Sequence, residues 1–110
     1  MNSTPVYAVN LLNVKDKEEY LTYLKRSSKE VAARGGKVIA IGKYREDESG
    51  DITPREVFLL VEWGSHEALK KYREDTDLAE LHSYRNKGTS DYILHVFDKL
   101  EDFRPILKSK

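Results

Sequence analysis

Apolar positions along the chain fall into four strand-length runs separated by two longer segments of helical spacing. Val6 to Val14 (VYAVNLLNV) is apolar except at Asn10 and Asn13, and its length and β-branched content predict a first strand. Asp16 stands three residues before Glu19, the spacing at which an N-cap carboxylate and the third helical residue satisfy each other's amides. From there Tyr20, Leu21, Tyr23, Leu24, Val31 and Ala32 recur at mainly helical spacing. They predict a helix over Lys17 to Arg34, closed by the positive φ that Gly35-Gly36 can supply. Lys37 to Arg45 reads as a second strand, the polar stretch Glu46 to Pro54 with Gly50-Asp51 as a hairpin loop, and Glu56 to Trp63 as a third strand. Ser65 can cap a second helix carrying Ala68, Leu69 and Tyr72. After a break at Asp75 to Asp77, Leu78, Leu81, His82 and Arg85 continue the spacing as far as Gly88. Asp91 to Leu100 is the fourth strand, and the chain from about residue 101 is a tail to a single domain spanning 1–110.

The order β-α-β-β-α-β folds as an antiparallel sheet with both helices on one face, strands one and three lying in the middle. Those two strands are apolar on both parities: Tyr7, Val9 and Leu11 alternate with Val6, Ala8 and Leu12, and Phe58 and Leu60 with Val57, Leu59 and Val61. Two helices cover one face only, and a solvated antiparallel face should alternate with polar residues. The plain reading is a moderately apolar exposed sheet; the sharper one, since apolar patches of this size usually mark an interface, is a second copy of the chain packed sheet to sheet.

Parity also suggests which side chains share that second face. In strand four Tyr92, Leu94 and Val96 form the cleaner apolar set and should meet the helices, leaving Ile93, His95, Phe97 and Lys99 opposite. The same rule places Ile39, Ile41, Lys43 and Arg45 of strand two and Phe58, Leu60 and Glu62 of strand three with them. A mostly apolar surface with Lys43, Glu62 and His95 converging on it fits the general description of a small-molecule site. Asn10, on the helix-facing parity, is a buried polar residue that needs partners.

Composition narrows the functions. The 110 residues carry 19 Lys and Arg against 19 Asp and Glu, so no global positive field draws in nucleic acid or an anionic membrane. With no cysteine, disulfides, thiol nucleophiles, iron–sulfur clusters and cysteine-ligated zinc are excluded. The first residues lack the features of a signal peptide and no apolar run approaches about 18 residues, so a soluble cytoplasmic protein is the expectation, with no membrane partner.

Asp16-x-x-x-Tyr20, Gly35-Gly36, Val61-Glu62-Trp63-x-Ser65 leading to Glu67-Ala68, then Tyr72 and Arg85, together resemble the bacterial family called domain of unknown function thirteen-thirty. The resemblance covers roughly Val6 to Phe97. It implies membership of the dimeric α+β barrel superfamily: a ferredoxin-like protomer of α+β class that pairs through its sheet as a homodimer, with no metal or organic cofactor for this branch. Related branches include cofactor-independent monooxygenases, lactone isomerases and haem-binding enzymes, so the superfamily does not choose a reaction. The sequence departs from the family pattern after Gly36, where Gly42-Lys43-Tyr44 replaces the common closing glycine pair.

Glu62, if buried among apolar neighbours, is a candidate general base, against the simpler reading of an ion pair with Lys43 or Arg45 across the hairpin. His95 could shuttle protons near neutral pH or could be a hydrogen-bonded structural residue. Lys43, Phe58 and Arg85 are candidate ligand-binding residues, Arg85 being equally suited to the dipole at a helix C-terminus. Trp63, Tyr72 and Tyr44 could line a pocket, although such aromatics serve first as core. His66 and His82 have no carboxylate at metal-ligand spacing, and no metal site is assigned. An RNA-recognition module shares the element order, but Glu56-Val57 stands where that motif has a basic residue and glycine, and Leu60 where it has an aromatic, so nucleic-acid binding is not expected. Two functions remain. One is a cofactor-independent enzyme acting on a small carbonyl or aromatic compound in a hydrophobic barrel pocket, with Glu62 or His95 as base. The other is a non-catalytic ligand-binding or stress-associated dimer.

Overall fold

The computed structural model describes residues 4–108. Strand β1 (Val6–Val14) leads into helix α1 (Lys17–Ala33), β2 (Gly36–Lys43) and β3 (Val57–Trp63). Helices α2 (His66–Glu74) and α3 (Ala79–Gly88) follow, joined by a 3₁₀ turn over Thr76–Leu78, then β4 (Thr89–Asp98) and a one-turn helix α4 (Arg104–Leu107). The sheet is antiparallel in the order β2-β3-β1-β4, which puts the two strands with apolar residues on both parities in the centre.

Local chemistry sets the helix ends. The Asp16 carboxylate accepts from the backbone N–H of Glu18 and Glu19 at 3.0 and 3.1 Å, and the Ser65 hydroxyl accepts from Ala68 N–H at 3.1 Å. Gly35 turns the chain out of α1 with φ +95°, while Gly36 is needed for room: a Cβ there would stand 2.5 Å from Val31 Cγ1. Asp75 ends α2 in an extended conformation and accepts from Asp77 N–H, and this is the expected break between the two helical segments. Within the tail, Arg104–Leu107 form α4, with Pro105 in its first turn.

Along β1 the buried residues are Val6, Ala8, Asn10 and Leu12, paired across the sheet with Trp63, Val61, Leu59 and Val57. With Tyr20 of α1, Leu69 and Tyr72 of α2, Leu78 and Leu81, they form the core between sheet and helices. The other face carries Tyr7, Val9, Leu11, Phe58, Leu60 and Ile93, all only half-buried, and Phe97, which is 54% exposed. Faces of β1, β3 and β4 therefore follow their parity.

Strand β2 does not. Val38 pairs with Val61, but the next registered pair is Ala40 with Leu60, so Ile39 is an extra residue in a bulge. One inserted residue sends every later side chain to the opposite face. Ile41 and Lys43, opposite Leu59 and Val57, lie on the helix side and not with Glu62 and His95 as alternation predicts.

Candidate functional site

Between the helices and the helix-facing side of the sheet lies a cavity of about 200 Å³. Its wall is apolar over most of its extent, with Ala8, Leu59, Val61, Trp63, Leu69 and Leu94 prominent. Its polar lining includes Asn10, Tyr72, Tyr92 and Arg85, with Tyr23 beside them, and also Ser27, Ser28 and Arg73. The cavity thus occupies the face opposite the one that parity suggested for a pocket.

Each polar group is placed by the elements that carry it. Asn10 spends both amide hydrogens on the carbonyls of Ala8 and Leu59, each at 3.2 Å, and its Oδ1 accepts from the Tyr92 hydroxyl. These are the partners its burial demands. The Arg85 guanidinium lies 5.3 Å from the centre of the Tyr92 ring and donates to His82 Nδ1 at 3.3 Å, while His82 Nε2 lies 3.1 Å from the Tyr72 carbonyl. A carbonyl only accepts and a guanidinium only donates, so this imidazole is neutral with its proton on Nε2. Burial, reinforced by the Arg85 and Arg73 charges, holds its pKa below the ordinary value of 6.5.

Tyr72 is different. Its ring is 4% exposed and packs against Trp63 and His82 at centroid distances of 5.2 Å each, yet its hydroxyl is buried with no hydrogen-bond partner of acceptable geometry. Burial, the neighbouring Tyr23 phenol's charge and a contact of the Tyr72 hydroxyl with that phenol, outside good hydrogen-bond geometry, together push the Tyr72 pKa far up. Tyr92 is pushed up to about 12 by burial. Both phenols are therefore proton donors at neutral pH. An orphan donor in an apolar cavity, next to a guanidinium, is suited to receive an oxygen atom that carries or develops negative charge.

The remaining sequence-predicted residues are spread apart. Glu62 is on the far face with its side chain 23% exposed, and it pairs with Lys99 at 3.1 Å. The partner is thus neither Lys43, which the bulge turns away, nor Arg45. The Lys99 ammonium is shifted up by that carboxylate. His95 is exposed on the same face, its ring 6.5 Å from Phe97, and Phe58 is half-buried there. Lys43 lines a separate shallow groove on the helix side with Tyr20, Leu24 and Ile41. Tyr44 is exposed and donates to Asp47 at 2.9 Å. Only Arg85, Trp63 and Tyr72 of the earlier candidates meet at the cavity. Pattern alone does not mark Tyr92 and Tyr23 as site residues, and it considers His82 only as a metal ligand. The i,i+3 spacing of His82 and Arg85 on one helix was the one available signal. Among the described residues no group of three or more His, Asp or Glu could hold a metal ion, and no helix is long and apolar enough to cross a membrane.

A four-stranded antiparallel sheet with this strand order and its helices on one face is a ferredoxin-like α+β fold. Residues 5–98 match the model of the family described as domain of unknown function (DUF1330), and the chain belongs to that family. No curated protein matches the sequence. Among solved structures, the RPA0582 protein of unknown function from Rhodopseudomonas palustris is similar with a TM-score of 0.81 at 20% identity, over 92% of this chain and 86% of that one. SnoaB from Streptomyces nogalater, a cofactor-independent oxygenase, is similar with a TM-score of 0.65 at 14% identity, over 93% and 99%. A dimeric ferredoxin-like protein of unknown function from Thermobifida fusca follows at TM-score 0.60 and 14% identity, over 88% and 92%. At these identities the likeness is one of fold.

Proposed function

We propose that the protein is a homodimer, paired through the free face of its sheet, in which each copy binds a small, mostly apolar carbonyl or phenolic compound in the cavity between helices and sheet and promotes its reaction without an organic or metal cofactor. The observation that carries this reading is the unpartnered Tyr72 hydroxyl beside Arg85 in an otherwise apolar cavity. A buried donor left unpaired costs about 1–3 kcal/mol, a cost that a ligand oxygen would remove. Donation from Tyr72 together with the Arg85 charge would favour the phenolate or enolate over the neutral ligand, its proton passing to solvent through the open side of the cavity, and such an electron-rich species can then attack an electrophile such as dioxygen or rearrange. SnoaB, a cofactor-independent oxygenase, lends support to that class of chemistry on this fold.

Pairing is supported by the half-buried apolar residues of the free face and by the dimeric ferredoxin-like neighbours. The assignment of Glu62 and His95 as base is kept only for a space enclosed between two copies, since both stand on that face, away from the cavity. A non-catalytic binding role uses the same cavity and the same residues, and differs only in lacking turnover. Native mass spectrometry of the purified protein tests the reading: an oxygen-bearing apolar compound should accompany the wild type and be depleted in Tyr72→Phe and Arg85→Gln. Equal retention by all three proteins would place the ligand elsewhere.

A further inference from the structure

Two apolar surfaces of the protomer are left uncovered at opposite edges of the sheet. At one edge, the segment that follows β4 carries Leu100, Phe103 and Leu107 with exposures of 41, 71 and 78%. Phe103 and Leu107 are four residues apart and so share one side of the short helix. At the other edge, where β2 runs beside α1, Val38, Ile41 and Leu24 are exposed by 51, 74 and 39%. These last three also line the cavity, so its α1–β2 side is the side left open.

We infer that the segment after β4 is an arm that docks on the α1–β2 edge of a second copy of this chain, with Phe103 and Leu107 covering Val38, Ile41 and Leu24 and closing the partner's cavity. The inference rests on the pairing proposed above. Within one protomer the two surfaces belong to opposite edge strands, about 14 Å apart at ordinary strand spacing, with the whole sheet between them. In a face-to-face pair of sheets related by a two-fold axis parallel to the strands, β4 of each copy lies over β2 of the other. The arm then emerges at the start of β2, because Asp98, Val6, Trp63 and Gly36 stand in one row across the sheet. Area bears on this as well: four strands of about eight residues give a flat footprint of roughly 500 Å², and with its side-chain relief such a face only approaches the accessible surface of about 800 Å² that a stable interface buries per partner. The arms supply more contact at both ends.

The absence of cysteine from the sequence makes a direct test clean. Light scattering of the unmodified chain first measures pairing by itself, and twice 12.7 kDa, about 25 kDa, is expected. The double variant Val38→Cys/Leu107→Cys is then oxidised and run without reductant. A disulfide-linked dimer is expected, and a faster-running monomer linked within itself, or no linkage, would overturn the arm while leaving the pairing intact. Independently, Phe103→Ser/Leu107→Ser should raise the dimer dissociation constant by roughly tenfold to a hundredfold in analytical ultracentrifugation. An unchanged constant contradicts the proposal, and a monomeric wild type removes both the pairing and the arm.

Discussion

Replacing Tyr72 with phenylalanine deletes one oxygen and nothing else, and its effect on stability should have an unusual sign. The ring would keep its contacts with Trp63 and His82 at 5.2 Å. The hydroxyl is buried without a hydrogen bond, so the folded state forgoes the hydration that the unfolded chain retains. That deficit is about 1–3 kcal/mol for a buried polar group, and partial hydration of a cavity of about 200 Å³ reduces it. Tyr72→Phe should therefore stabilise the ligand-free protein by about 1 kcal/mol, which for a domain near this size raises Tm by roughly 4–8 °C. Tyr92→Phe is the control. Its hydroxyl donates to Asn10 Oδ1, so the same deletion strands a buried acceptor and should cost about 1–2 kcal/mol. Urea titrations followed by circular dichroism, at one fixed protein concentration, give both values, with the m-value unchanged if only the folded state is affected. A loss of 1 kcal/mol or more in Tyr72→Phe would mean that the hydroxyl is paired in the folded protein, and the argument for a ligand oxygen would fall with it.

Other substitutions test the frame around the cavity. Gly88→Ala should cost about 2–3 kcal/mol in a urea titration, because the new Cβ would meet the Tyr20 backbone nitrogen at 2.7 Å and Cα at 2.8 Å, where α1 crosses the end of α3. A wild-type midpoint would show that this crossing can slide. Glu62→Gln should change stability by less than about 1 kcal/mol, since its pair with Lys99 is part-exposed, and a larger loss would reveal a structural charge network. For His82 the sign follows from its depressed folded-state pKa: the unfolded chain binds the proton more readily, so the stability held by the neutral ring is complete above about pH 6.5 and is lost as pH falls through and below that value. Urea midpoints between pH 7.5 and 5 should fall more steeply in the wild type than in His82→Asn, whereas parallel curves would exclude the neutral imidazole as Arg85's acceptor.

What the chain made legible came from pattern, and what it hid came from single backbone events. Alternation along β1, β3 and β4 was enough to order the sheet and to divide its faces, because β1 and β3 pair in unbroken register and the register shift between β1 and β4, beside Asp91 with φ 54°, lies outside the Val6–Leu11 pairing with Ile93–Asp98. The bulge at Ile39 has no sequence signal, and it alone moved Ile41 and Lys43 to the helix side and left Glu62 to Lys99. Trp63 and Tyr72 read equally well as core or as pocket wall, and both readings hold: they are buried, and they line the cavity. That the Tyr72 hydroxyl lacks a partner depends on where Tyr23 and Asn10 come to rest across the core, 49 and 62 residues away in sequence. Asn10 itself announced a buried polar requirement, which β3 and β4 meet through the Leu59 carbonyl and Tyr92.

Occupancy of the cavity can be read directly, because Trp63 is the single tryptophan of the chain and forms part of its wall. Titration with p-nitrophenol combines that reporter with a second, the visible absorbance of the phenolate. If Tyr72 and Arg85 form an oxyanion site, the probe should quench Trp63, ionise at lower pH when bound than when free, and lose that shift in both Tyr72→Phe and Arg85→Gln. A wild-type protein that leaves Trp63 fluorescence unchanged, or binds the phenol without lowering its pKa, would contradict the account.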